Sequence, residues 1–250
     1  MWRDVQRWRG VVLIGIAVVA TIWLSFGNQL VLYIHPRYIL FTVIMGVIAL
    51  VLVAASLIVR THPEDGDEDV PRRGARALST LGLVIAGVIA AAMIVVPPAT
   101  LSSATASQRD INSSTILADT QSVSDASSAS NDTFKGFTVV DWASLLRQTS
   151  DLQFYAGKPV DVVGFITPDP DDPQNMFYVS RFVVTCCAVD AQPTGIPVFL
   201  ANWQDTYATD DWVQVTGTFA TNPSTASSQS VALKTDSVTK VDQPSEPYLF

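Results

Sequence analysis

The stretch "YILFTVIMGVIALVLVAASLIV", residues 38–59, carries no charged side chain along its whole length. A helix of about 20 mainly apolar residues is long enough to cross the hydrocarbon core of a bilayer. Helices that pack in soluble cores usually keep a polar face, and this stretch has none. Two further apolar stretches lie on either side of it, at residues 10–27 and 78–96. The sequence therefore predicts a membrane domain over residues 1–98 with three transmembrane helices.

The arginines predict how these helices are oriented, because basic residues in short loops stay on the cytoplasmic side. Arginine occurs before the first span at positions 3, 7 and 9, and between the second and third spans at positions 60, 72, 73 and 76. The N-terminus is therefore predicted to be cytoplasmic. Everything after the third span is predicted to lie outside the plasma membrane of the cell.

The composition changes twice after the third span. Residues 99–133 are dominated by Ser, Thr, Ala and Asp and contain no aromatic side chain. Such a segment buries too little apolar surface to offset its ordering entropy, so it is predicted to be a flexible stalk. Residues 134–250 form a second domain with six Lys and Arg against thirteen Asp and Glu. This acidic balance excludes the basic footprint typical of nucleic-acid-binding proteins.

Alternating apolar and β-branched residues predict five strands in the extracytoplasmic domain. They cover residues 158–166, 176–187, 195–202, 211–219 and 231–242. One short helix is predicted over residues 141–148, with Asp141 as its N-cap. Two "V-x-V-x-G" turns, Val160–Gly164 and Val213–Gly217, are typical of strands that bend at glycine to close a barrel. The fold class expected is three transmembrane α-helices followed by an all-β domain, a five-stranded OB-like antiparallel barrel.

The only two cysteines, Cys186 and Cys187, are adjacent, and they are the main candidates for a functional site. On a strand spanning residues 176–187 their side chains would point to opposite faces, unless the strand ends or bulges there. Three interpretations stay open. The thiols are small packing residues, or they form a strained, easily reduced disulfide that acts as a redox switch. Alternatively, they bind a soft metal ion such as copper(I), zinc or a trivalent arsenical.

Other candidate residues lie close to the cysteines in the sequence. Asp190 is a further ligand or redox-site candidate, and its place in "AVDAQPTG" also suits a turn. Arg181 is a further ligand or redox-site candidate, and it is also expected to pair with Asp190 or with another aspartate. The turn "PDPDDP" offers Asp169, Asp171 and Asp172 as additional metal ligands if it folds close to the thiols. The domain contains no His, no Ser–His pair and no phosphate-binding glycine pattern, so no catalytic residue is assigned and no enzyme is expected.

Six short segments resemble one family. They are "YIHPRY" (33–38), "PPATLSS" (97–103), "VDWASLL" (140–146), "GKPVDVVGFI" (157–166), "RFVVTCCAVDAQPTGIPV" (181–198) and "PYLF" (247–250). They resemble the YcgQ-like family of uncharacterised three-span membrane proteins, which are described as subunits of two-component permeases. The resemblance implies an exported β-rich domain and a polytopic YcgR-like permease as partner. Many relatives carry a His-rich second loop, whereas this chain has "THPEDGDEDVPRR" (61–73) with His62 alone.

Two functions follow as expectations. The first is an accessory subunit of a membrane permease, whose extracytoplasmic domain contacts the permease or a ligand through the Cys186–Cys187 region. The alternative is a stand-alone membrane-tethered protein for thiol redox chemistry or soft-metal binding. The three predicted spans contain no charge that could line a pathway, so transport by this chain alone is not expected. The partners expected are the permease and the lipid bilayer, and a soft metal ion is the one cofactor considered.

Overall fold

The computed structural model describes residues 2–58, 85, 87–88, 92, 100–113 and 121–250. The chain divides into two compact units, Met1–Ala99 and Thr100–Phe250.

The first unit contains two long helices among its described residues. Helix α1 spans Trp2–Phe26 and helix α2 spans Pro36–Ile58, with a 3-10 turn at Leu30–Leu32 between them. Pro36 suits the start of α2, because its missing N–H would have no partner in the first turn. The helices approach closely at Gly46, where an added Cβ would lie 3.3 Å from the Ile22 side chain.

In the part of the chain that the structure describes, one helix is long and apolar enough to cross a membrane, over Pro36–Ser56, as predicted for the second span. Several of its large apolar side chains are exposed, among them Leu40 at 71% and Leu52 at 64%. The first predicted span, 10–27, lies on α1, but the apolar part of this helix is the shorter stretch Leu13–Phe26. The third predicted span, 78–96, falls outside the described residues except for four helical positions. Among the described residues the structure therefore gives one clear span candidate, whereas the sequence predicted three spans, the third of them almost wholly outside those residues.

The second unit is built on a six-stranded sheet that includes all five predicted strands. The strands are β1 (Val160–Pro168), β2 (Met176–Val183), β3 (Gln192–Phe199), β4 (Trp212–Thr221), β5 (Val231–Lys240) and β6 (Tyr248–Leu249). The sixth strand, at the C-terminus, was not predicted and pairs parallel to β2. The strand order is β1-β4-β5-β3-β2-β6, and β1 pairs with β2 in addition. Because β2 also pairs with β1, strands β1 to β5 form a ring of pairings.

Strand β1 has two partners because it bends in its middle. It pairs antiparallel with β4 through Phe165, and from Phe165 onward it pairs antiparallel with β2. Gly164 lies just before this change of partner, and a Cβ there would be 2.6 Å from the Ser180 carbonyl oxygen. Gly217 lies beside a bulge, where the register of β4 against β5 shifts. Both glycines predicted to sit at strand bends are therefore at close backbone approaches.

The core of the unit lies between the strands and the helix α6, which spans Val139–Gln148. Trp142 of α6 is fully buried and stacks on Phe134, while Phe219 of β4 packs against it at a tilted angle. The predicted helix is confirmed, but its N-cap is Thr138 and not Asp141. Asp141 is the third residue of a capping box and accepts the Thr138 N–H, which is why the helix begins two residues earlier than predicted.

The second unit has more helices than the one predicted. Among its described residues it also contains α3 (Ser103–Ala106), α4 (Val123–Ser127), α5 (Asn131–Phe134) and α7 (Leu152–Tyr155). Two of these lie within residues 99–133, the segment predicted to be a flexible stalk, and α5 lies within it except for Phe134. Ala106 and Ala126 are buried. The described part of this segment differs from a flexible stalk because small alanines at intervals let its backbone pack closely on the unit.

Candidate functional site

The two cysteines lie on the loop that connects β2 to β3. Strand β2 ends at Val183 and β3 begins at Gln192, so residues 184–191 form what we term the cysteine loop. The prediction of a strand reaching residue 187 was wrong. The Val184 N–H still donates to the Leu249 carbonyl of β6. The N–H groups of the next three residues donate instead to the side chain of Asp190, which lies within the loop.

Asp190 organises the cysteine loop through its carboxylate. Oδ2 accepts the Cys186 N–H at 2.8 Å, and Oδ1 accepts the Thr185 and Cys187 N–H groups, each at 3.3 Å. The Asp190 N–H in turn donates to the Cys187 carbonyl oxygen at 3.0 Å. An aspartate three to five residues after these amides can reach back to them, so it competes with the strand pairing that would otherwise continue.

The loop brings both thiols to one place. The Cys186 and Cys187 sulfur atoms are 3.5 Å apart, and both cysteines are free thiols, Cys186 exposed and Cys187 half-buried. The opposite-face arrangement expected on a strand is therefore absent from this loop. One potential ligand atom from each of Cys186, Cys187 and Asp190 lies within 4.8 Å of the other two. One ion could contact all three groups.

The carboxylate also affects the protonation of the Cys186 thiol. The Asp190 side chain, which accepts a hydrogen bond from the Cys186 thiol, and the neighbouring Cys187 raise the pKa of Cys186 to about 12. Partial burial acts to raise the pKa of Asp190, but hydrogen bonds from the Cys186 thiol and the three amides outweigh it and hold that pKa below its usual range. At neutral pH the site therefore holds a carboxylate beside a protonated Cys186. A bound cation would reverse this preference, because it favours thiolate over thiol.

Arg181 has a different role from the one predicted. Its guanidinium is buried and donates to the carbonyl oxygens of Pro247 at 2.9 Å, Glu246 at 2.7 Å and Val163 at 3.3 Å. Burial lowers the pKa of Arg181 to about 10, so it remains a cation at neutral pH. Within the described part of the chain no ion pair joins it to an aspartate. Through its hydrogen bonds to Glu246 and Pro247, Arg181 holds the segment that leads into β6 beside β2. This positions β6 next to the cysteine loop.

The aspartates of "PDPDDP" are remote from the cysteines. They lie in the turn between β1 and β2, at the opposite end of β2 from the cysteine loop. Eight residues of strand separate the two ends, about 25 Å at the usual rise per residue. Asp169 and Asp172 instead accept hydrogen bonds from Ser227 and Ser224 near the β4–β5 loop. They cannot complete a metal site at Cys186 and Cys187.

Two residues that the sequence did not single out contact the cysteine loop or the start of β3. Arg109 donates from one guanidinium nitrogen to the Val189 carbonyl at 3.1 Å and from the other to the Ala191 carbonyl. The Asn112 side chain exchanges two hydrogen bonds with the backbone of Gly195. The one feature of the sequence that distinguishes Arg109 is that it is the sole basic residue between positions 99 and 134.

Comparison with known proteins gives two family matches. No curated protein and no solved structure matches the chain. Residues 8–112 match the DUF1980 N-terminal domain, and residues 130–250 match the DUF1980 C-terminal domain. The two matches together take in the helical first unit and the sheet of the second unit. The chain therefore carries both domains of DUF1980 and belongs to that family.

Proposed function

We propose that the chain is a membrane-anchored protein that binds a soft metal ion through Cys186 and Cys187 beside Asp190, as an accessory subunit of a membrane permease. The observation that supports the binding function best is the convergence of two thiols and a carboxylate on one exposed loop, within 4.8 Å of one another. Sulfur ligands select soft ions such as copper(I), zinc or a trivalent arsenical.

Metal binding is favoured over thiol redox chemistry for two physical reasons. A thiol with a pKa of about 12 contains almost no thiolate at neutral pH, and the thiolate is the attacking species in disulfide exchange. A disulfide between neighbouring residues also requires an unusual geometry, since their Cα atoms are only about 3.8 Å apart. A metal ion requires no sulfur–sulfur bond, and its positive charge favours the thiolate and so opposes the raised pKa of Cys186.

The membrane topology and the barrel-like fold of the second unit are also part of this proposal. We infer three transmembrane helices with a cytoplasmic N-terminus and the second unit outside the plasma membrane. Support comes from the apolar helix Pro36–Ser56 and from the arginine distribution. We also infer that strands β1 to β5 form an OB-like barrel. Its support is the ring of pairings β1-β4-β5-β3-β2-β1, in which β3 and β5 run parallel and the other four pairs antiparallel.

The permease partnership rests on the resemblance and on the composition of the predicted spans. Three spans without an internal charge offer no polar route for an ion, so a metal bound at the cysteine loop would need another protein to cross the membrane. Purification of the intact chain from its native membrane in mild detergent should recover a polytopic membrane protein in a fixed ratio. Recovery of the chain alone would contradict the partnership and would leave metal binding untouched.

A cadmium titration of the full chain tests the binding function. In detergent, with the thiols reduced by a non-thiol reductant, we expect one cadmium ion per chain and a thiolate-to-metal absorption band in the ultraviolet. Because the chain has only two cysteines, such a band can arise only at this loop. Proton release on binding is expected at pH 7, since the Cys186 thiol starts protonated.

The matched control is the Cys186→Ser/Cys187→Ser variant, which keeps the size of both side chains. It should show no absorption band, and its cadmium affinity should fall at least about a hundredfold, because serine oxygen is a poor ligand for a soft ion. Equal affinity of the two proteins would contradict the proposed site.

A further inference from the structure

The first residues of the second unit are seated against the cysteine loop. We term residues 100–113 the strap segment. Arg109 lies in its second half, and its guanidinium donates to the carbonyl oxygens of Val189 and Ala191. These two carbonyls belong to the residues on either side of Asp190. One charged side chain therefore fixes the backbone immediately before and after the carboxylate that organises the thiols.

Asn112 provides a second attachment, at the start of β3. Its backbone N–H donates to the Pro193 carbonyl at 3.1 Å. Its side-chain amide donates to the Gly195 carbonyl at 2.8 Å and accepts the Gly195 N–H at 3.0 Å. Asn112 has a positive φ of 64°, a conformation that asparagine tolerates better than most residues. The side chain thus acts as an additional partner for β3, directly after the cysteine loop.

The strap segment is anchored at its other end as well. The Leu101 N–H donates to the Tyr248 hydroxyl at 2.9 Å, and the Ser103 N–H donates to the Asp210 carboxylate at 2.6 Å. Ala106, between these contacts and Arg109, is fully buried. The segment is therefore held along its length, and its contacts with the cysteine loop are part of an ordered structure.

We propose that Arg109 and Asn112 are positioning residues for the Cys186–Cys187–Asp190 site, and that ligand binding at the site and seating of the strap segment stabilise each other. An unbroken series of contacts supports this coupling. Arg109 binds the carbonyls that flank Asp190, and the Asp190 carboxylate binds the amides of Cys186 and Cys187. A movement of the strap segment would therefore displace the carboxylate relative to the thiols.

The coupling must act in both directions, because it is a free energy shared by two sites. A ligand that draws Asp190 and the thiols together makes the Arg109 contacts more favourable. Loss of those contacts in turn weakens the ligand site. The segment joined to the membrane-side part of the chain would thereby change its stability with occupancy of the cysteine loop. The choice of ligand rests on the proposed function, whereas the coupling of the strap segment to the thiols does not depend on it.

The first test compares cadmium affinity and thiol exposure in the full chain and its Arg109→Ala variant. We expect cadmium affinity to fall about tenfold, toward the low end of usual coupling energies. Without cadmium, the rate at which Cys186 is alkylated should differ between this variant and wild type, because Asp190 is no longer fixed beside Cys186. Arg109→Lys should restore part of the affinity, since an ammonium group can donate to one or both carbonyls. Arg147→Ala removes an exposed arginine of α6 and should leave both measurements unchanged.

The second measurement is hydrogen exchange of the strap segment with and without cadmium. Binding should slow exchange of its amides in the wild-type chain, and neither Arg109→Ala nor Cys186→Ser/Cys187→Ser should show the same slowing. The coupling would be overturned if the wild-type chain binds cadmium, Arg109→Ala binds it with the same affinity, and cadmium does not change hydrogen exchange of the strap segment. The proposed function would still stand in that case. If wild type fails to bind cadmium, the proposed function fails, and the alkylation of Arg109→Ala then decides the coupling by itself.

Discussion

Replacement of Asp190 by asparagine is expected to make Cys186 more reactive toward iodoacetamide at pH 8, by up to about 40-fold. Asparagine keeps an oxygen that accepts the loop amides, so the backbone of the cysteine loop is retained. It removes the negative charge that favours the protonated thiol. The pKa of Cys186 should therefore fall from about 12 toward its ordinary value of 9.0.

The magnitude follows from two opposing effects. At pH 8 a complete fall of the pKa from about 12 to 9.0 would raise the thiolate fraction about a thousandfold, and this is the upper limit because Cys187 also raises the pKa of Cys186. The less basic thiolate is also a weaker nucleophile, which reduces the gain about 20-fold to 30-fold.

Mass spectrometry of the alkylated peptide across a pH series checks this prediction. The wild-type rate should still be rising above pH 10, whereas the rate of the Asp190→Asn variant should level off one to two pH steps above 8. Asp161→Asn serves as a control, because Asp161 pairs with Gln214 on β1 and β4 and lies outside the cysteine loop. Superimposable pH profiles for wild type and Asp190→Asn would show that the carboxylate does not control the reactivity of Cys186.

Replacement of Gly217 by alanine is expected to destabilise the second unit by about 3 kcal/mol, the upper end of ordinary overpacking costs. A Cβ at this position would lie 2.1 Å from the Lys234 carbonyl oxygen of β5 and 3.2 Å from the Thr235 Cα. These are backbone atoms, so the methyl group can be accommodated only if β4 and β5 separate beside the bulge. Because β4 and β5 are both part of the ring of pairings, such a separation affects the whole sheet.

Thermal unfolding followed by circular dichroism at strand wavelengths provides the measurement. A loss of about 3 kcal/mol in a unit of this size corresponds to a fall in Tm of about 10 °C. Gly136→Ala is the matched control, since its Cβ would make only an ordinary contact of 3.4 Å with the Thr133 carbonyl. Equal Tm values for the two variants would mean that the close approach at Gly217 relaxes without cost.

The strands could be predicted from the sequence because each alternates apolar and polar residues or is rich in β-branched ones. Strand β4 illustrates this, with buried Val213 and Val215 separated by half-buried Gln214. Strand β6 could not be predicted, because two residues are too few for a pattern. It depends on Arg181, whose guanidinium binds the carbonyls of Glu246 and Pro247. No local property of the C-terminal segment reveals a partner 65 positions away.

The candidate site could be predicted in its residues but not in its geometry. The adjacent cysteines and Asp190 stand out by residue type alone. The strand pattern of "RFVVTCC" nevertheless continues through Cys187, and only the capture of three amides by Asp190 ends β2 at Val183. Arg109 and Asn112 lie in a segment whose composition is typical of disorder. Their order comes from contacts with β3 and the cysteine loop, which composition does not encode.

The parallel pairing of β6 with β2 has a consequence for the order in which the molecule is made. The ribosome completes the cysteine loop some sixty residues before Leu249, the residue whose carbonyl accepts the Val184 N–H. During synthesis the thiols therefore exist for a time without the strand that borders them. A nascent chain that stops before Tyr248 has both cysteines but lacks their neighbouring strand. The finished site therefore forms only after β6 has been translated.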